Sequence, residues 1–85
     1  MNRSPAIRDE VLMQLVAAFP AQVPVERLHK TARRSGFDYA ELELRKEAHF
    51  LAGLEPPLVE VHHDAATNQE KFSATSAGVT HFENQ

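Results

Sequence analysis

This 85-residue chain contains five histidines, which could bind a metal ion or transfer protons, and nine lysines and arginines, which could bind anions. His62, His63 and Asp64 are consecutive, and both residue types are common zinc ligands. Successive residues of a strand point to opposite faces, so His62 and His63 are poorly placed to share one ion. The chain has no His-Glu-x-x-His motif, no cysteine and no glycine-rich phosphate loop. We therefore expect no metal site, no cofactor and no enzymatic activity.

The basic residues are concentrated in the middle of the chain. Residues 24–53 carry six Lys and Arg against five Asp and Glu, whereas residues 54–85 carry one Lys against five acids. The net charge of −3 excludes a protein that coats nucleic acid by bulk attraction. A basic surface must therefore come from the central segment, whose cations are Arg27, Lys30, Arg33, Arg34, Arg45 and Lys46.

The composition, 42% hydrophobic and 25% charged, is typical of a soluble globular protein. A chain of this length supports one small core, so we expect residues 1–85 to form a single domain. No apolar run approaches the roughly 20 residues of a membrane span, and the first residues contain no apolar signal-peptide segment. Together with the absence of cysteine, these features favour a cytoplasmic protein without a membrane partner.

Hydrophobic periodicity predicts three helices in the first two thirds of the chain. The first spans about residues 5–19, with Ser4 as its N-cap. The second spans about residues 25–34 and is closed by Gly36 in the left-handed conformation. The third spans about residues 39–54. The pattern is therefore helix, helix, tight glycine turn, helix.

The third helix has two distinct faces. Its start is predicted to be a capping-box variant formed by Asp38 and Glu41. At about 100° per residue, a core face collects Ala40, Leu44, Ala48, Leu51 and Leu54. The opposite face collects Glu41, Leu42, Arg45, Lys46 and His49. Glu47 lies among the core positions, and a buried carboxylate needs a partner. Either Arg8 or a residue of the second helix supplies that partner, or Glu47 lies at the helix edge.

After the two prolines at 56 and 57, the pattern changes from helical to alternating. Residues 58–63 and 70–75 are predicted to be strands, joined by the polar loop 64–69. Thr75 is predicted to cap a short last helix. The shared core is expected to contain Ile7, Val11, Leu15, Phe19, Leu28, Leu44, Leu51, Val59 and Phe72.

The predicted order is three helices, two strands and a short helix. Within it, three local segments resemble the winged helix-turn-helix family of bacterial and phage DNA-binding domains. Residues 32–36 (Ala-Arg-Arg-Ser-Gly) resemble the end of the first motif helix and its turn. Residues 51–54 followed by 58–61 resemble the end of the recognition helix and the first wing strand. Residues 72–79 resemble the segment that many bacterial members carry after the wing. The resemblance implies an α+β fold of three helices, a two-stranded wing and a short closing helix, with the helix-turn-helix at about 24–54 and the wing at about 58–75.

The resemblance also implies a function, because the third helix of such domains enters the major groove of double-stranded DNA. Arg45 would donate two hydrogen bonds to a guanine, and the second helix would contact phosphates. Leu42 would meet a thymine methyl group or form half of a protein interface. The implied DNA-binding residues are Lys30, Arg33, Arg34, Tyr39, Leu42, Arg45, Lys46 and His49. The expected function is a small sequence-specific transcriptional regulator or accessory factor.

The alternative function is a winged-helix module that binds a protein partner and not DNA. The acidic C-terminal third and the outward position of Leu42 favour this alternative. The sequence departs from the family pattern at Ala74, where a bulky residue is usual, and at the wing tip, which lacks Arg and Lys. The closing helix, residues 76–83, is too short for a long two-helix interface. We therefore expect a monomer or a weak homodimer.

Overall fold

In a computed structural model, which describes residues 2–85, four helices and a three-stranded antiparallel sheet form an α+β fold. The helices are α1 (Ser4–Ala18), α2 (Val25–Arg34), α3 (Glu41–Ala52) and α4 (Ser76–Glu83). The strands are β1 (Val23–Pro24), β2 (Val59–Asp64) and β3 (Gln69–Ala74). The three longer predicted helices and both predicted strands are present, and their ends differ from the predicted ones by at most two residues.

The sheet has the order β1-β3-β2, so β3 is its central strand. Strands β2 and β3 form a hairpin whose register runs from Val59 opposite Ala74 to Asp64 opposite Gln69. Strand β1 pairs with the other side of β3, where Val23 lies opposite Phe72. The sequence did not predict β1, because two residues are too few to produce an alternating pattern.

The core lies between the three longer helices and one face of the sheet. Every residue predicted for it is buried except Phe19, which is 43% exposed. Helix α1 ends at Ala18, and Phe19 turns away with φ −49° and ψ 133°. The Phe19 side chain therefore leaves the helical stripe that its spacing predicted it would continue.

The start of α1 differs from the prediction of a Ser4 N-cap. Ser4 is the first helical residue, and its backbone N–H donates to Asn2 Oδ1 at 3.0 Å. The N-cap residue is Arg3, which forms no side-chain capping hydrogen bond, so Asn2 satisfies the first helical N–H in place of the predicted Ser4 cap.

The turn between α2 and α3 is closed by Gly36, which has φ +91° as predicted. The predicted capping box at Asp38 and Glu41 is wrong. Helix α3 begins at Glu41, and its N-cap residue Ala40 donates its backbone N–H to Glu43 Oε1 at 3.0 Å. Asp38 pairs instead with Arg3, at 3.0 Å between Nη2 and Oδ1. Residues 37–40 therefore precede α3 and belong to no helix or strand.

Helix α1 is fixed to α3 by a buried ion pair. The Glu47 side chain is 3% exposed, and its Oε1 accepts a hydrogen bond from Arg8 Nε at 2.7 Å. The Arg8 guanidinium carbon also lies 3.7 Å from the centre of the Phe50 ring, within cation–π range. Of the partners considered for Glu47 from the sequence, Arg8 is the correct one.

Helix α4 packs on the end of the sheet. Thr75 caps it as predicted, because its Oγ1 accepts from the Gly78 N–H at 2.9 Å. The Thr75 N–H donates to the Leu58 carbonyl at 3.1 Å. A Cβ atom at Gly78 would overlap the same carbonyl oxygen. The close approach of α4 to Leu58 therefore requires glycine at position 78.

Candidate nucleic-acid interface

Helix α3 faces three different environments around its circumference. Its inner side, Leu44, Glu47, Ala48 and Leu51, is buried. Its opposite side exposes the five predicted residues, Glu41, Leu42, Arg45, Lys46 and His49, and we call the last four of them the outward ridge. Leu42 is the most prominent of them and is 73% exposed. The outward ridge predicted from helical spacing is therefore exposed in the folded chain.

One flank of the outward ridge contacts the hairpin through Glu70 of β3. Arg45 Nε donates to Glu70 Oε1 at 2.7 Å. His49 Nε2 lies 3.2 Å from the same oxygen. A carboxylate only accepts hydrogen bonds, so His49 must carry its proton on Nε2 in this contact. The hydrogen bonds from Arg45 and then His49 hold the pKa of Glu70 below its ordinary value.

Strand alternation explains why Glu70 points toward α3. Glu70 and Phe72 are two residues apart on β3 and therefore share one face of the sheet. Phe72 is fully buried in the core, and the His49 ring meets its ring edge-on with 5.7 Å between centroids. Because Phe72 faces the core, Glu70 also lies on the core-facing side of the sheet, two residues nearer to the hairpin turn.

A shallow groove lies beside this contact, between the N-terminus of α2, α3 and the hairpin. Val25, Arg45 and Glu70 contribute to its walls, together with His63, Asn68 and Gln69. Gln69 Nε2 donates to Glu26 Oε1 at 2.6 Å, which ties the hairpin to α2. The groove therefore has walls on three elements that are held to one another.

The cations of α2 differ from Arg45 in their pairing. Across residues 2–85, no carboxylate lies within 4.0 Å of Lys46 or of the four basic residues of α2, which are Arg27, Lys30, Arg33 and Arg34. Arg27, Lys30 and Arg34 follow one side of α2 and line a common groove. Arg33 faces a second groove, beside the turn that leads to α3. The predicted α2 cations are thus exposed but divided between two sides of the helix.

Tyr39 is not where the sequence predicted it. It precedes α3 and is only 7% exposed. Its ring stacks on Phe37 at 4.9 Å between centroids, and the Arg3 guanidinium lies 5.1 Å from its centre. The Tyr39 ring therefore packs between Phe37 and Arg3, and little of its surface is exposed for the DNA contact expected of it.

The tip of the hairpin is acidic and neutral. Asp64 Oδ1 accepts from the Ala66 N–H at 3.0 Å, which lowers the pKa of Asp64 and closes the turn. Asn68 completes the turn with φ +57°. Lys71 lies beyond the tip and, by alternation, on the face of β3 opposite to Glu70. The tip therefore offers no cation to a nucleic acid.

The histidines next to the hairpin tip are used separately. His62 Nε2 lies 2.8 Å from the Ser73 hydroxyl across the β2–β3 pair, whereas His63 is exposed. In the described part of the chain, no three His, Asp or Glu side chains are close enough to hold a metal ion.

None of the helices within residues 2–85 combines the length and apolar character needed to cross a membrane.

Glu70 is the residue that sequence reasoning missed. The contact joins positions 25 and 21 residues apart in sequence, so no local spacing signals it. The one available signal was that Glu70 shares the strand face of Phe72, a predicted core residue.

Comparisons of this chain with known proteins found no matching family model, no matching curated protein and no matching solved structure.

Proposed function

We propose that this chain is a winged helix-turn-helix domain that binds double-stranded DNA in a sequence-specific manner. In this proposal α2, the turn and α3 are the helix-turn-helix, the β2–β3 hairpin is the wing, and the outward ridge of α3 enters the major groove. The observation that carries the proposal is the exposed outward ridge of α3, together with five cations, Lys46 and the four of α2, that pair with no carboxylate among residues 2–85. A basic surface of this kind is the electrostatic requirement for phosphate binding.

Each residue of the interface then has a chemical role. Arg45 reads a guanine, and Leu42 contacts a thymine methyl group. Lys46 and His49 bind phosphates or base edges next to them. Lys30, Arg33 and Arg34 bind the phosphate backbone and set the orientation of the domain, a function that carries no sequence information. Tyr39 has no direct role, because its ring is buried.

The wing is expected to contribute little to affinity. Wings that enter a minor groove generally present Arg or Lys, because narrow grooves concentrate negative potential. This hairpin presents Asp64 and neutral residues at its tip. The third helix therefore supplies most of the contact, and a single domain should bind weakly at moderate salt.

A duplex titration tests the proposal. The full chain is titrated into fluorescently labelled mixed-sequence duplex, and anisotropy is measured between about 50 and 200 mM salt. If about four phosphates are contacted, log Kd should change with log salt with a slope of about 3.6 in magnitude. Lys46→Ala and Arg34→Ala should each reduce that slope by about 1. Lys71→Ala is the matched control, because it removes the same charge from the opposite face of β3.

The result that contradicts the proposal is equally specific. A chain that binds no duplex at the lowest salt is not a DNA-binding protein. Binding that weakens to the same extent in Lys71→Ala as in Lys46→Ala would assign the attraction to overall charge and not to the outward ridge.

A second candidate function is recognition of a protein partner through the same surface. Leu42 supports it, because a leucine that is 73% exposed at the N-terminal end of the outward ridge offers apolar area to a protein. The two functions differ in their response to Leu42→Ala. Salt-dependent duplex binding should survive this change, whereas binding of a protein partner should be lost.

A further inference from the structure

We propose that Glu70 is a specificity-determining positioning residue, which holds Arg45 by Nε and directs its two terminal nitrogens outward to read a guanine. This inference rests on the proposed DNA-binding function and assigns a task to a residue that does not itself touch DNA. Arg45 is the base-reading group, and Glu70 acts through it.

The N–H donors of Arg45 fall into two groups, one of which is held by Glu70. A guanidinium has five N–H donors, one of them on Nε. Within residues 2–85, the hydrogen bond formed by Arg45 is that from Nε to Glu70, at 2.7 Å. The donors on Nη1 and Nη2 have no protein acceptor there. Guanine presents two acceptors, O6 and N7, in the major groove. Because Nε is bonded to Glu70, the two terminal nitrogens, Nη1 and Nη2, are the donors left to bind O6 and N7 together.

Glu70 is itself well anchored for this purpose. It lies on the central strand of the sheet, and its Oε1 also contacts His49 Nε2 at 3.2 Å. Its side chain is less exposed than that of Arg45, at 23% against 49%. An arginine held in this way has already lost much of the rotamer freedom that binding would otherwise remove. The carboxylate thus preorganises the base-reading group.

The magnitudes favour a functional role over a structural one. Half-exposed ion pairs contribute little to folding stability, so the Arg45–Glu70 pair has no large stabilising role. In contrast, removing Arg8 from the Arg8–Glu47 pair would leave a buried carboxylate without its partner. A carboxylate near the outward ridge also repels DNA phosphates, which lowers affinity for every duplex. Glu70 should therefore reduce general affinity while increasing discrimination between sequences.

These two effects of Glu70 can be separated by substitution. Glu70→Ala removes the charge and the hydrogen-bond acceptor. Glu70→Gln removes the charge but keeps an acceptor oxygen at the same place. Glu60→Ala is the control, because it removes a carboxylate from the neighbouring strand β2 without contact to Arg45.

The experiment uses a preferred duplex, obtained by selection from a random duplex pool with the full chain, and mixed-sequence duplex as reference. Discrimination is the ratio of the two Kd values, and circular dichroism melting verifies that each variant is folded. Glu70→Ala should lose about fivefold or more of the discrimination, the lower limit for one bidentate arginine–guanine contact. Glu70→Gln should keep most of it. Both should bind mixed-sequence duplex more tightly than the parent, whereas Glu60→Ala should keep the parental discrimination.

A double variant tests whether Glu70 acts through Arg45. Arg45→Ala should lose discrimination by itself, and adding Glu70→Ala should remove no more. Replacing the contacted guanine by 7-deazaguanine, which lacks the N7 acceptor, should weaken binding by the parent and leave Glu70→Ala nearly unaffected.

The outcomes separate this inference from the proposed function. A parent chain that binds duplex and discriminates, while Glu70→Ala discriminates equally well, overturns the inference and leaves the DNA-binding proposal in place. A parent that binds duplex but yields no preferred sequence also overturns the inference. A parent that binds no duplex at low salt overturns both.

Discussion

Arg8→Ala removes the cation that neutralises Glu47 inside the domain. The Glu47 side chain is 3% exposed and lies 2.7 Å from Arg8 Nε, so the substitution leaves a buried carboxylate without its partner. Breaking a buried ion pair costs about 3–5 kcal/mol in the free energy of unfolding. About a third of the Arg8 side chain is exposed, which favours the lower limit. Loss of the cation–π contact with Phe50 adds about 0.5–1 kcal/mol.

The expected loss is therefore about 4 kcal/mol, a large part of the total stability of about 5–15 kcal/mol in domains of this kind. Urea unfolding followed by far-UV circular dichroism measures it. Arg3→Ala is the matched control. Its carboxylate partners Asp38 and Glu43 are 92% and 37% exposed, and its guanidinium lies 5.1 Å from the Tyr39 ring centre, so the loss should be about 1 kcal/mol. The double variant Arg8→Met with Glu47→Leu should recover most of the loss, because it removes both charges. Equal losses in Arg8→Ala and Arg3→Ala would refute the reasoning.

Three further predictions concern the core, the last helix and acid stability. Leu44→Ala should lower the free energy of unfolding by about 2–5 kcal/mol, measured by urea unfolding, because Leu44 is completely buried. Gly78→Ala should cost about 1–3 kcal/mol, because its Cβ would overlap the Leu58 carbonyl, whereas Gly53→Ala meets only ordinary contacts and should cost nothing measurable in the same assay. The pKa of Glu70 is lowered from 4.5, so its contribution to stability is present above about pH 4.5 and lost as the pH falls through the lowered value. Unfolding curves of Glu70→Gln over this range should lack that acid-dependent loss.

Much of the fold could be predicted because its signals are local. The spacing of apolar residues in α3 predicted the outward ridge and the buried positions Leu44, Ala48 and Leu51. It was wrong for Ala40, which is exposed just before the helix, and Leu54 is only partly buried. The position of Glu47 among core residues predicted that a cation must meet it, and Arg8 does. Thr75 and Gly36 were recognised from the chemistry of helix ends alone. Each of these features depends on residues within a few positions of one another, or on a requirement that one buried charge imposes on its surroundings.

The remaining features depend on contacts that are distant in sequence. Tyr39 was placed on α3 because Asp38 is a good N-cap residue, but Arg3 pairs with Asp38 and Glu43 caps the helix instead. The Arg45–Glu70 contact, on which the specificity proposal depends, joins a helix to a strand 25 residues later. The spacing of residues within either element does not predict it. Strand β1 acquires its identity only from pairing with β3. Sequence reasoning could therefore find the cations of the candidate interface but not the carboxylate that positions one of them.

The central place of β3 has a kinetic consequence. Val23 of β1 pairs with Phe72, which lies more than half the length of the 85-residue chain away in sequence, while β2 pairs with β3 through a short hairpin. Closing the longer connection carries the larger entropic cost, and such long-range pairings slow folding. The hairpin can therefore form early, but β1 has no partner until β3 has been synthesised and positioned. During synthesis on a ribosome, α1 and α2 would wait for the last quarter of the chain before the sheet that joins them is complete.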